Sequence, residues 1–238
     1  MRNLVLLLIG LMWSSTVFGG ASRLFDNASS EYLDNGTAAV FDFPFTFAGW
    51  VKSDDNSGRK VLVSQAIVAS ASGAILLELN GTTPRYILES DDALEFIILS
   101  SSVDPVRDQW VHIAGVSQAT NSHFIYVDGI QRGTTGDTCP ICSCDRTDIG
   151  AFSPATVATH FMSGNLAHIA IWSDALDPGE IQSLAAGISP LKIRPDKLER
   201  YIPIWGDTDP ELDYSGNNQN FNLNNTPAGS EDGPPIYF

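Results

Sequence analysis

FDFPFTFAGWVK, Phe41–Lys52, alternates aromatic residues with others and then runs into Trp50-Val51. Period-two alternation puts one set of side chains on a single face, so this stretch reads as a β-strand with a heavily apolar side. Ser53–Gly58 follows with the composition of a turn. The same pattern continues along the chain. Lys60–Ser70, Ala74–Leu79, Arg85–Leu88, Leu94–Leu99, Trp110–Val116, His123–Val127 and Leu166–Trp172 read as further strands. Asn80-Gly81 and Asp128-Gly129 are hairpin turns, because the two central residues of a type I′ turn need positive φ. One short helix is expected after Asp177, which supplies an N-cap followed by Pro178 and Glu180, with Gly187 available to end it. Many strands at short spacing and almost no helix give an all-β class, an antiparallel two-sheet jelly-roll sandwich. Trp50, Trp110 and Trp172 are expected to lie in strands and fill the space between the two sheets. The polar tail from Asp207 to Phe238 could stay disordered, but Phe221-Asn222-Leu223 reads within it as a short edge strand.

The N-terminus has its own signature. Arg2 is followed by the apolar run Leu4–Trp13 and then small residues, which reads as a secretory signal over residues 1–19, cleaved near Gly19. The run is too short to span a bilayer, and no second run is long enough. Residues 20–238 are then one domain. Removing the signal removes only Arg2, leaving 12 basic residues against 28 acidic ones. That balance argues against nucleic-acid binding, which needs basic patches to offset phosphate.

The order of the segments resembles a known family. Phe25-Asp26-Asn27 and Glu31-Tyr32-Leu33, then Phe45–Lys52, are similar to the opening strands of a concanavalin A-like, laminin G-like jelly roll. Trp110–Ala114, the Tyr126-Val127-Asp128-Gly129 hairpin, Ile149-Gly150 and Phe161–Trp172 resemble its later strands in the same order. Ala175-Leu176, Glu180-Ile181, Tyr201–Gly206 and Asp213–Asn217 resemble the segments that close such domains. The resemblance runs from about Leu24 to the C-terminus. It implies a concanavalin A-like sandwich that hosts binding modules and glycoside-acting enzymes alike.

The chemistry-bearing residues favour binding. Related glucanases carry three alternating carboxylates on one strand; here Glu211-Leu212-Asp213-Tyr214-Ser215 keeps two and replaces the third by serine. His112, His123, His160 and His168 show no metal-ligand spacing, and His112 and His168 read as sheet residues making one hydrogen bond each. The resemblance implies calcium as the cofactor to consider. Asp207, Asp209 and Asp213 with Asn217 are one candidate ligand group, and Asp26 is another. The same tail residues also suit Asx turns, in which Asp and Asn side chains bond their own backbone. Asn27, Asn35, Asn80 and Asn224 head N-glycosylation triplets. All three cysteines fall in TCPICSC, Thr138–Cys144. Three thiols without a nearby histidine fall short of a structural zinc site. An exported chain favours oxidation, so a disulfide Cys139–Cys142 or Cys139–Cys144 is expected to close a surface loop. The expected function is a secreted or cell-surface, non-catalytic recognition module. It would bind a carbohydrate or an extracellular protein at the sheet rim or concave face, with calcium as a possible aid. The alternative is a structural or adhesive surface protein without a small ligand, and a glycoside hydrolase is the third reading.

Overall fold

The computed structural model describes residues 18–19, 22–105, 107–206 and 208–237, so most of the signal reading lies outside the described residues. The strands begin β1 (Phe18–Gly19), β2 (Ser22–Phe25), β3 (Tyr32–Asn35), β4 (Phe45–Ser53), β5 (Arg59–Ala66) and β6 (Ala74–Asn80). They continue with β7 (Thr83–Glu89), β8 (Phe96–Ser100), β9 (Val111–Ala119), β10 (Ser122–Val127), β11 (Ile130–Thr135) and β12 (Arg146–Ile149). Then come β13 (Gly164–Trp172), the helix α1 (Pro178–Ala185), β14 (Leu198–Ile202), β15 (Asn222–Asn224), β16 (Ala228–Ser230) and β17 (Pro235–Ile236). Among the described residues no helix is long and apolar enough to cross a membrane.

Two antiparallel sheets face each other. The larger has the order β11-β10-β9-β4-β13-β2-β16, with β14 also paired to β13. The other has the order β15-β3-β12-β5-β6-β7-β8. A separate ribbon joins β1 to β17. The core between the sheets takes alternate residues of each strand: Phe45, Phe47 and Val51 from β4, Ile169 and Ile171 from β13, and Ile75, Leu77 and Leu79 from β6. Tyr86 crosses this interior. Its hydroxyl lies 2.8 Å from Ser117 Oγ, which lies 2.8 Å from His123 Nδ1. Gly115 makes room for that ring, since a Cβ there would stand 2.4 Å from Tyr86 Cδ2.

The tryptophans depart from expectation. Trp50 and Trp172 fall on the parity opposite to Phe47 and Ile171, so they point away from the second sheet. Trp172 packs with Leu176, Ile181 and Leu184 under α1, and Trp50 packs with Ala167 and Ile236. Trp110 precedes β9 rather than lying in it. The outer face of the larger sheet is therefore a second apolar layer, and α1 is its cover. That helix forms as its ends dictate. The Asp177 carboxylate accepts from Gly179 N and Glu180 N, and Glu180 reaches back to Asp177 N. Gly187, at φ +89°, ends it.

The tail is folded onto the sandwich. Arg23, buried on β2, donates from Nε to Glu211 at 2.5 Å and from its two terminal nitrogens to the carbonyls of Pro227 and Thr208. β15 extends the smaller sheet beside β3, as Phe221–Leu223 predicted. Of the glycosylation triplets, Asn27 and Asn80 are exposed. Asn35 and Asn224 instead donate to Asn220 O and to Asp34 Oδ1.

The cysteine loop also differs from the sequence reading. The loop turns its thiols inward: Cys139, Cys142 and Cys144 are all buried and belong to the main core, while Thr138, Pro140 and Ser143 beside them are exposed. The disulfide joins Cys142 to Cys144, and Cys139 is the free thiol. The two halves of the loop are tied to different sheets. Cys139 N bonds Thr120 O beside the larger sheet, whereas Ser143 N bonds Asp91 Oδ1 and Asp145 N bonds Ala66 O on the smaller one. Burial pushes the Cys139 thiol up to about 11, so it is a packing residue and a poor nucleophile.

Two predictions follow from this packing. Gly115→Ala overpacks the Tyr86 ring and should cost about 1–3 kcal/mol, seen as a melting temperature lower by several degrees; an unchanged melt would contradict the contact. The second concerns acid. Burial under the α1 cover holds both His112 and His168 down to about 3. His168 Nδ1 is 2.9 Å from Tyr201 Oη, but His168 Nε2 and His112 Nδ1 have no hydrogen-bond partner. Between pH 6.5 and about 3 the unfolded chain binds the extra protons, so stability is complete above pH 6.5 and declines as pH falls. Each group contributes a slope of about 1.4 kcal/mol per pH unit. Asp148, raised by burial to about 6, works in the opposite sense between 3.8 and 6 and offsets one of the two. His168→Asn tolerates the left-handed backbone at φ +52°. It should flatten the acid side of the stability profile by about 1.4 kcal/mol per pH unit, and denaturant titrations from pH 4 to 7 would measure it.

Candidate ligand-binding site

The rim of the sandwich opens where the β3–β4 connection meets the C-terminal tail. Gln65, fully buried on β5, fixes that connection from inside. Its Oε1 accepts from Ala39 N at 2.6 Å and Val40 N at 3.0 Å, and its Nε2 donates to Val40 O at 3.1 Å. Asn35 Oδ1 turns the chain by accepting from Thr37 N at 3.0 Å. Phe43 stacks on Phe45 with ring centroids 5.1 Å apart. Pinned on both sides, the connection lifts Phe41 into solvent, where it is 68% exposed. A phenylalanine this open on a loop held so firmly is the most conspicuous apolar feature of the rim.

Asp213 builds the facing wall. Its Oδ1 accepts from Tyr201 N and Ser215 N, and its Oδ2 from Ser215 Oγ and Gln219 N, at 2.8–3.1 Å. The turn so formed presents Asn217, which donates to Glu199 O at 3.0 Å, and Gln219. Between the walls lie two adjoining open depressions of about 300 and 360 Å³ that share Ala39, Phe41 and Glu199. Asp42 lines the first. Thr37, Arg200, Asn217 and Gln219 line the second. Each volume is within the range of small-ligand sites, and the lining pairs an aromatic face with amide, hydroxyl and carboxylate groups.

The sequence candidates for calcium do not converge. Among the described residues no three His, Cys, Asp or Glu side chains come together as metal ligands. Asp26 caps the short turn after β2, accepting from Ala28 N and Ser29 Oγ at 2.9 Å each. Phe25 pairs with Gly164 and Tyr201 with Ala170. Asp26 and Asp213, which adjoin those two residues, therefore lie roughly 20 Å apart along β13 at 3.3 Å per residue and cannot share an ion. Asp213 spends its oxygens on four protein donors, the Asx-turn chemistry that its sequence also allowed. Asp209 is exposed, and Asp207 lies outside the described residues. Among the described residues, these candidates do not form a calcium cage. Nor do Glu211 and Asp213 offer an acid–base pair: Glu211 is buried against Arg23, and it also accepts from Gly206 N at 3.0 Å.

A second place is the outer face of the smaller sheet. Glu78 is fully buried there between Arg59, at 2.8 Å, and Arg85. Residues 150–162 lie across this face, with Phe152 stacked on His160 and packed on Val61, Leu76 and Ile87. The cover leaves Phe96 and Ile98 of β8 half exposed beside it.

Of the sequence candidates, Asn217 lines the larger depression and Asp213 holds its wall, whereas Phe41 and Arg200 were not among them. Phe41 reads in sequence as a strand residue of the alternating run. Arg200 lies just outside the Tyr201–Gly206 segment, and only the fold brings it beside Thr37.

Comparison with known proteins agrees with this architecture. Neuronal pentraxin-1 of Homo sapiens is 29% identical over 155 residues, 60% of this chain, and the rat protein matches equally. The chain spans 34% of the length of these relatives. A Bacteroides ovatus protein named a “putative carbohydrate binding protein” superposes with a TM-score of 0.67 over 92% of this chain and 61% of that one, at 14% identity. The CBM40 module of a Ruminococcus gnavus sialidase, solved with α2,3-sialyllactose, gives 0.56 over 62% of this chain and 84% of that one, at 12% identity. At such identities the likeness is one of fold. The Laminin_G_3 family model, of the concanavalin A-like lectin/glucanases superfamily, matches residues 27–182, and the chain belongs to that family.

Proposed function

We propose that this protein is a secreted or cell-surface recognition module that binds a glycan in the rim groove around Phe41, without catalysing a reaction. The observation that carries the reading is Phe41 itself, 68% exposed at the junction of the two depressions and held there by Gln65 and Asn35. A pyranose has an apolar face and a polar edge. The first suits the phenyl ring, and the second suits the amides of Asn217 and Gln219 and the carboxylates of Asp42 and Glu199. The carbohydrate-binding proteins among its structural neighbours support the ligand class. Calcium is no part of this reading, because among the described residues no three acidic side chains converge as metal ligands.

The structural or adhesive alternative rests on a different surface. Leu94 is 79% exposed just before the edge strand β8, followed by Phe96 at 51% and Ile98 at 46%. An edge strand with this apolar row is a place for another chain to add.

A glycan array followed by titration of the full chain separates the two. Glycan binding should fall at least about tenfold (1.4 kcal/mol) in Phe41→Ala, with a stability change within about 0.5 kcal/mol because the side chain is exposed. Added calcium should leave both affinity and melting temperature unchanged. An array without a ligand, together with association that Phe96→Ser abolishes, would move the function to the β8 edge.

A further inference from the structure

We infer that Arg200 makes the rim groove selective for an acidic sugar, one carrying a carboxylate or a sulfate ester; this rests on the groove being the glycan site. Arg200 lies on β14, is 5% exposed, and lines the larger depression. Nη1 donates to Glu199 O at 2.8 Å, and Nη2 to Thr37 Oγ1 at 3.1 Å and Ala38 O at 3.2 Å. These acceptors are all neutral. Nε is buried with no partner. A guanidinium has five N–H groups, and these three bonds bring no carboxylate into direct contact with it.

Six of the other described arginines, Arg23, Arg59, Arg85, Arg107, Arg146 and Arg194, each lie within 4.0 Å of a carboxylate. Arg132 shares with Arg200 a buried Nε without a hydrogen-bond partner, but it lines neither depression. No such ion pair is formed by Arg200 among the described residues. Burial lowers its proton affinity, while the more distant Asp213 and Glu199 raise it. Arginine remains charged even so. A buried cation without a counter-charge is costly unless something completes it. Asp42 and Glu199, which line the groove, accept from Phe43 N at 2.7 Å and Ser173 Oγ at 2.6 Å, and Glu199 acts on Arg200 only from beyond ion-pair distance. An anion entering beside Phe41 would meet this charge at short range, where the planar fork of arginine favours a two-oxygen partner. The acidic surface as a whole would oppose it only through screened, longer-range repulsion. The groove thus combines a ring platform, a cation without a carboxylate in direct contact, and polar amides.

The test titrates the full chain at about 0.15 M salt with 3′-sialyllactose, its carboxylate methyl ester, a sulfated lactose and lactose. At least one acidic sugar should bind about tenfold or more tightly than lactose, a preference that identifies which anion is read. If it is sialyllactose, the methyl ester should lose that preference. Arg200→Gln should bring acidic and neutral affinities together, whereas Phe41→Ala should weaken both alike. Should Arg200→Gln not fold, the comparison of the four sugars on the unaltered protein decides alone. Lactose binding as tightly as both acidic sugars, with Phe41→Ala still damaging, would overturn the inference and leave the groove reading standing. Binding of none of the four would remove this inference, and a glycan array equally blank would remove the groove reading too.

Discussion

Strand β13 must be buried on both faces, and most of the molecule answers that requirement. All nine of its residues are buried. One face, with Leu166, Ile169 and Ile171, packs into the space between the sheets. The other, with Ala167, Ala170 and Trp172, would lie open on a simple sandwich and needs a further layer. Helix α1 and strand β17 supply it, which explains why the chain continues past its last central strand and returns. The return places β14 beside β13, sets the Asp213 turn against Tyr201, and so builds one wall of the rim groove. Packing of a central strand and placement of a surface site are one problem here.

Buried polar groups decide where the returning chain settles. Arg23 collects Glu211 and the carbonyls of Thr208 and Pro227, and Gln65 collects Ala39 and Val40. Such groups are expensive to bury unless satisfied, so they select one arrangement of loops over others of similar apolar burial. They also give Glu211 and Asp213, which keep two of the three alternating carboxylates of related glucanases, a role in holding the tail, Glu211 against Arg23 and Asp213 on four protein donors.

Much of the fold was legible. Alternation located the strands, Asn-Gly and Asp-Gly located the hairpins, and the Asp177–Glu180 capping box located α1 to within a residue. These signals are local, and local hydrogen bonding is what creates them. The failures share the opposite cause. Trp50 and Trp172 were assigned to the inter-sheet space because aromatics in strands usually go there. Their parity relative to Phe47 and Ile171 already pointed outward, but what would cover them comes from residues far along the chain. The pairing of Cys142 with Cys144 depends on which sheet holds each half of the loop. The groove depends on contacts such as Arg200 with Thr37, whose positions are 163 apart in sequence. Of the described sequence candidates, only Asn217 lines the groove.

Hydrogen–deuterium exchange of the full chain, with and without saturating 3′-sialyllactose, tests the central claim most directly. If the glycan sits in the rim groove, protection will concentrate in the backbone of residues 36–43 and 213–219, with little change elsewhere. Protection centred instead on β7, β8 and residues 150–162 would put the binding surface on the outer face of the smaller sheet and contradict this account.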